Sequence, residues 1–269
     1  GDHGLFALDV TNPASPVFLW NISNNLSIST LNYWQSNGTL NIYDYTDYAN
    51  ANPEYRDYRG LGETWSVPVI GRLKADNSDV FALFFGGGYD NVNAGVGNKV
   101  FVSKVENGAI IKAFDLGDST VDGIKNMTVN TPALLFEDAT GKSYIQFMYI
   151  GDQEGQMWKM DVRNANPANW PDNCVFFDAL ATNTNERFIN TSPELSYDNG
   201  KRLWVYFGTG DIYNPERITT TMDNRFFAIR DDNVSLYYGS NSGDCPSPQI
   251  TFSDLSDVSA AGASIGANR

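Results

Sequence analysis

"YIQFMYIGDQEGQMWKMDV", residues Tyr144 to Val162, decides how the rest of the chain is read. An apolar run ends on Gly151, a short polar turn follows, and the next run alternates large apolar with polar side chains. Runs this short, rich in Val, Ile, Phe, Tyr and Trp and bounded by Gly, Asn, Asp and Pro, are strands. Upstream lies "TVNTPALLFE", Thr128 to Glu137, in which a proline opens another apolar run. Proline at the first position of a strand costs no ladder hydrogen bond.

The same order recurs on both sides. Before it stand "TWSVPVIGRL", "VFALFFGGGYD" and "KVFVSKVENGAIIKAFDLG"; after it stand "FINTSPELSY", "RLWVYFGTGD" and "RFFAIRDD". The shared prolines, Pro68, Pro132 and Pro193, lie 64 and 61 residues apart. Asn107-Gly108 adds a hairpin signal to the first copy. Three or four antiparallel strands repeated at this interval describe an all-β chain, a β-propeller. The glycines ending each second strand fit inner strands that crowd near an axis. "GLFALDVTNPASPVFLW", Gly4 to Trp20, supplies the outer half of a further blade. The expectation is a propeller portion over residues 1–252, about four blades with the last incomplete, and a flexible polar tail over 253–269. The chain opens on "GDHG" directly before an apolar run, and reads as a piece of a longer precursor.

Composition removes several function classes. The net charge of −14 leaves no basic face for nucleic acid or for an anionic membrane surface. No run approaches the roughly 18 apolar residues of a membrane span. His3 is the sole histidine, which excludes a histidine-based triad and a Cys/His zinc site. Cys174 and Cys245 sit in loop-like settings; they either close a loop of about 70 residues or remain two thiols. "FFGGGYDN" lacks the Lys-Ser/Thr ending of a phosphate loop and reads as a strand end. Six N-x-S/T sequons, at Asn21, Asn25, Asn37, Asn126, Asn190 and Asn233, arise readily in so Asn-rich a chain.

No catalytic or cofactor-binding residue stands out. For calcium, "KADNSD" places Asp76, Asn77 and Asp79 in one tight turn, without the ligand spacing of a full loop. Residues 21–62 depart from the repeat and carry Tyr33, Trp34, Tyr43, Tyr45, Tyr48, Tyr55 and Tyr58. Tyr, Asn, Ser and Gly together make adaptable contact surfaces. This insert is therefore the expected partner-binding region, the alternative being a disordered or self-packed loop.

Taken together, "GLFALDVTNPASPVFLW", "TWSVPVIGRL", "FGGGYDN", "MYIGDQEGQMWKMDV", "INTSPEL" and "VYFGTGDIYNP" resemble the propeller domain of the PilY1/PilC-type type IV pilus tip adhesins, from Gly4 to about Arg230. The resemblance implies a modified seven-bladed propeller, secreted and extracellular, sitting at the pilus tip on minor pilins. It implies roles in pilus extension, attachment to a surface or host-cell ligand, and twitching motility. The family's calcium loop would fall at "FEDATGKSYIQFMYIGD", where Asp138 and Gly141 remain but Ala139, Ser143, Tyr144 and Gln146 replace ligands. An alternative is a quinone-dependent dehydrogenase propeller, which shares the A-x-D-x-x-T…W order but needs a calcium-coordinating set and a catalytic Asp. A propeller scaffold for outer-membrane protein assembly fits the fold but not the insert.

Overall fold

The computed structural model describes residues 3–46, 56–90, 92–93, 95–117, 126–137, 143–172, 174–179, 187–211, 224–235 and 244–256. Each proline-led repeat folds as one antiparallel sheet. The first full repeat forms β5 (Val69–Ala75), β6 (Ser78–Gly86), β7 (Lys99–Lys104) and β8 (Ile110–Asp115). The second forms β9 (Ala133–Glu137), β10 (Tyr144–Gly151), β11 (Gln156–Asp161) and β12 (Cys174–Asp178). The third forms β13 (Glu194–Tyr197), β14 (Arg202–Gly208) and β15 (Phe226–Ser235). The first two of these sheets touch at one parallel pairing, Tyr144 with Arg72. Pro68, Pro132 and Pro193 each stand immediately before the first residue of a sheet, as the repeat requires.

Residues 21–44 are not a loop, which corrects the reading of 21–62 as an insert outside the sheets. β1 (Gly4–Asp9) and β2 (Val17–Asn25) continue into β3 (Thr30–Gln35) and β4 (Leu40–Asp44), one four-stranded meander in that order. The β2–β3 turn is carried by Ser29 at φ 53°, and β3–β4 by Gly38 at φ 83°. Periodicity misled here because polar Asn and Ser occupy the outward positions of β2 and β3 while Trp20, Ile22, Leu31 and Tyr33 face inward. β1 matches β11 in sequence, and Asp9 and Asp161 each accept the N–H of the residue two along, Thr11 at 2.8 Å and Arg163 at 3.0 Å. So β1 and β2 are the outer half of a blade, as expected, and β3–β4 extend it.

The sheets stack face to face with a core in every gap. Trp20, Ile22 and Tyr33 meet Leu83, Phe85 and Phe101. Phe84, Val100 and Val102 meet Met148, Ile150 and Trp158. Phe147, Tyr149 and Phe177 meet Val205, Phe207 and Phe227. Neighbours in one strand therefore serve opposite cores, Phe84 one and Phe85 the next, which is the period of two put to use on both faces. Trp20 fills its gap completely and its indole donates to the Val105 carbonyl at 2.8 Å.

Crowding at the ends of the second strands is real at two places. A Cβ on Gly86 would lie 2.2 Å from the Thr128 carbonyl oxygen, and one on Gly151 would lie 2.2 Å from Ile189 Cγ2. At Gly208 the nearest atoms would be 3.8 Å away.

The segment after the fourth sheet returns to the third. Cys174 and Cys245 form a disulfide across a sequence separation of 71. β16 (Ile250–Thr251) runs parallel to β12. Phe252 packs edge-on against Phe227 with the Arg187 and Arg225 guanidinium carbons 4.0 and 5.1 Å from its ring centre. Order thus extends past the expected start of the tail at Ser253, because Leu255 packs on the same core; residues 257–269 lie outside the described residues.

Gly151→Ala is expected to lower unfolding free energy by about 1–3 kcal/mol, since the new carbon overpacks a filled gap. Gly208→Ala should change it by about 0.5 kcal/mol or less, and urea titration of both variants reads the contrast. Replacing Cys174 and Cys245 by serine should cost about 4 kcal/mol, the loop-closure value for a ring of this length. An unchanged denaturation midpoint under reducing conditions would show that the link adds nothing.

Candidate functional site

The aromatic residues of 21–62 divide by burial. Tyr33 and Tyr58 belong to the core and cannot meet a partner. The Tyr58 hydroxyl donates to the Gly108 carbonyl at 2.8 Å and pairs with Ser103 Oγ at 2.7 Å. The Tyr33 hydroxyl donates to the Asn107 carbonyl, and the Arg56 guanidinium lies 4.1 Å from its ring centre. Tyr43 and Tyr45 are half-buried against the same core. Trp34 is 41% exposed, on the outward face of β3. Tyr48 and Tyr55 lie outside the described residues. An alternating strand must send every second residue inward, so a tyrosine-rich strand buries about half of its rings.

What the β2–β4 meander builds instead is one wall of a polar groove. Asn24, buried at the end of β2, donates from Nδ2 to the carbonyls of Arg59 and Leu61 at 3.0 and 2.8 Å, and its Oδ1 accepts from the Tyr45 hydroxyl. These bonds bring residues 56–63 against the meander. Glu63 and Tyr89 then exchange backbone hydrogen bonds at 2.8 and 3.0 Å. The loop after β6 is held by Asp90, whose Oδ1 accepts the N–H groups of Val92 and Asn93, both at 2.7 Å. Between these elements lies a cavity of about 560 Å³ lined by His3, Ser23, Asn24, Asn25, Leu26, Ser27, Asn32, Glu63, Tyr89, Asp90, Val92 and Asn93.

A second concavity of about 440 Å³ adjoins it, sharing Leu26 and Asn93. Its two cations are paired: Arg59 with Asp57 at 2.7 Å, and Lys99 with Asp115 at 2.5 Å. Burial opposes ionisation of Asp57, but the hydrogen bond and charge of Arg59 hold its carboxyl below the usual range. Tyr89 is shifted the other way, upward, by burial and then by the charges of Asp211, Glu63 and Asp90. The groove is thus amide-, hydroxyl- and carboxylate-lined. Sequence reasoning missed it because its walls come from segments up to 90 residues apart.

The expected calcium residues sit in ordinary local structure. Asp76 and Asn77 are the two central residues of the β5–β6 hairpin, both left-handed at φ 50° and 61°. That is the conformation a two-residue hairpin demands and that Asp and Asn tolerate. Asp79 accepts a hydrogen bond from the Tyr144 hydroxyl at 2.7 Å. Asp138 lies outside the described residues. Among the described residues no three His, Cys, Asp or Glu side chains gather as a metal site. Of the sequons, Asn126 and Asn190 are buried and closed to modification in the folded chain.

Residues 1–243 match the family described as the PilY1 beta-propeller domain. The chain is 24% identical over 257 residues to the type IV pilus biogenesis factor PilY1 homolog of Xylella fastidiosa, covering 89% of this chain and 14% of that protein. In fold it is similar to the crystal structure of the Pseudomonas aeruginosa PilY1 C-terminal domain, at a TM-score of 0.60 and 22% identity. That likeness covers 91% of this chain and 46% of the other. The chain therefore spans less than half the length of either relative.

Within the matched span, Asp152 is a fully buried carboxyl held in the β10–β11 turn. Burial pushes it from the ordinary 3.8 up to about 8, against hydrogen bonds from the Trp158 indole and from the N–H groups of Gln156 and Glu154. Those donors, at 2.7, 2.8 and 2.9 Å, occupy both oxygens and fasten the β10–β11 turn to Trp158. A folded pKa above the unfolded one means that the folded chain holds this proton longer. Its stabilisation is full below about pH 4 and drains as pH rises through about 8. Asp152→Asn does not titrate, so its stability relative to wild type should rise across that window, as thermal midpoints at successive pH values would register. A constant difference would mean that Asp152 ionises normally.

Proposed function

Because the chain belongs to the PilY1 β-propeller domain family, we propose that it serves type IV pilus biogenesis as a non-enzymatic scaffold at the fibre tip, supporting pilus extension, surface attachment and twitching motility. The observation that carries this reading is the match over residues 1–243, which takes in all the proline-led sheets. The partners it implies are minor pilins in the fibre and a surface or host-cell ligand beyond it.

The disulfide supports an extracellular setting. Disulfides persist in oxidising compartments, and here one joins Cys174 to Cys245. Among the described residues no helix is long and apolar enough to cross a membrane. Propellers offer loops on rigid sheets, and adhesion needs a rigid platform more than a reactive centre.

Deleting the gene in its source bacterium is expected to reduce surface pili in electron micrographs and to shrink twitching zones, with both restored by the intact gene. Normal piliation and motility in the deletion would overturn the proposal. Purified protein mixed with a redox quinone and calcium should show no added absorbance band and no dye reduction; either signal would overturn the non-enzymatic part.

A further inference from the structure

The 560 Å³ groove between the β2–β3 turn and the loop after β6 has a chemistry that selects a ligand. No lysine or arginine lines it, and the carboxylates there are Glu63 and Asp90. With a net charge of −14 on the whole chain, phosphate, sulfate and acidic sugars are repelled. The remaining lining is mostly amide and hydroxyl. Ser23 and Asn32 are cross-strand partners on the outward face, half-buried, and neither side chain bonds to another described residue. Asn25 Oδ1 accepts the Ser27 hydroxyl at 2.7 Å, and its NH₂ bonds to no described residue. A primary amide presents a donor and an acceptor side by side. That is the complement of two neighbouring hydroxyls, each of which both donates and accepts.

Leu26 and Tyr89 add apolar surface within the same lining, suited to the C–H face of a ring. The walls are also preset. Asn24 fixes one through Arg59 and Leu61, and Asp90 holds Val92 and Asn93 in the other, so these lining residues are placed before a ligand arrives. The volume falls within the usual range for small-molecule sites and holds roughly a disaccharide.

We propose that this groove binds a neutral oligosaccharide, with Ser23, Asn25 and Asn32 taking its hydroxyls and Tyr89 flanking a ring. The proposal goes beyond the pilus reading and does not depend on it. A polar, open groove of this kind gives weak binding, on the order of millimolar.

The test is saturation-transfer NMR on the full chain with lactose, cellobiose and diacetylchitobiose, beside sialyllactose as the acidic counterpart. A neutral-glycan array carrying mammalian and bacterial sugars separates a host source from a bacterial one. At least one neutral disaccharide is expected to give signal and sialyllactose to give less. Asn32→Ala should weaken the signal about tenfold, and the isosteric Asn32→Asp, which keeps shape but loses the donors, should do the same with an unchanged thermal midpoint. Signal from none of the neutral sugars, preference for sialyllactose, or full binding by a folded Asn32→Asp protein would each overturn the proposal.

Discussion

Two residues ahead of each blade's proline, a polar side chain reaches the glycine that ends the same blade's second strand. Ser66 Oγ accepts the Gly86 N–H at 2.8 Å and donates to the Asn130 carbonyl of the next blade at 2.7 Å. Asn130 Nδ2 donates to the Gly151 carbonyl at 2.9 Å and to the Ile189 carbonyl, again in the next blade, at 2.5 Å. Thr191 Oγ1 pairs with Gly208 through both its N–H and its carbonyl, at 3.1 and 2.9 Å. The groups tied by Ser66 and Asn130 are buried, whereas the Thr191–Gly208 pair is exposed; leaving a buried one unpaired would cost on the order of 1–3 kcal/mol. At Ser66 and at Asn130 one polar atom satisfies a blade's own strand end and the entry of its neighbour together, so the spacing of those blades follows from hydrogen-bond length. The glycine is part of the same constraint, because a side chain at Gly86 or Gly151 would push the two backbones apart.

With the spacing set, the alternating faces of β6, β10 and β14 reach across each gap and fill it. Polar ties then give the gaps their registration. Lys159 on β11 meets Asp231 on β15 at 2.7 Å, both fully enclosed, and the Tyr149 hydroxyl donates to the same carboxylate oxygen at 2.7 Å. Burial, and then the charge of Asp231, push the Tyr149 phenol far up, which keeps it a donor. A buried pair of this kind adds little net stability, yet losing one partner leaves an uncompensated charge. Its effect is to favour one alignment of the third and fourth sheets. The disulfide and β16 act on the same two sheets from the rim.

The groove marks where local sequence pattern stops and register takes over. The tyrosine-rich stretch stands apart from the repeat in sequence, and it forms one wall of the groove. Composition does not reveal which of its side chains are exposed: Tyr33 faces the core while Asn32, its neighbour, faces out. One residue of register decides that difference. Asn24 illustrates the same point: in sequence it is one of many asparagines, and in the fold it holds Arg59 and Leu61 in place.

The sequence by itself determined the strand class, the repeat, the prolines at blade entry, the glycines at strand ends and the family. Each of these is written in residues a few positions apart, through alternation, turn chemistry and backbone freedom. The Asp9–Thr11 turn and the gap-filling Trp20 were legible for that reason. Only the tertiary structure decided that β3 and β4 extend the first sheet, that Cys174 bonds Cys245, that Lys159 meets Asp231 and that a neutral polar groove opens beside Asn32. β3 and β4 were hidden by the polar residues interspersed in them; the other features join residues that are distant along the chain, and stacking of the sheets brings them within bonding distance.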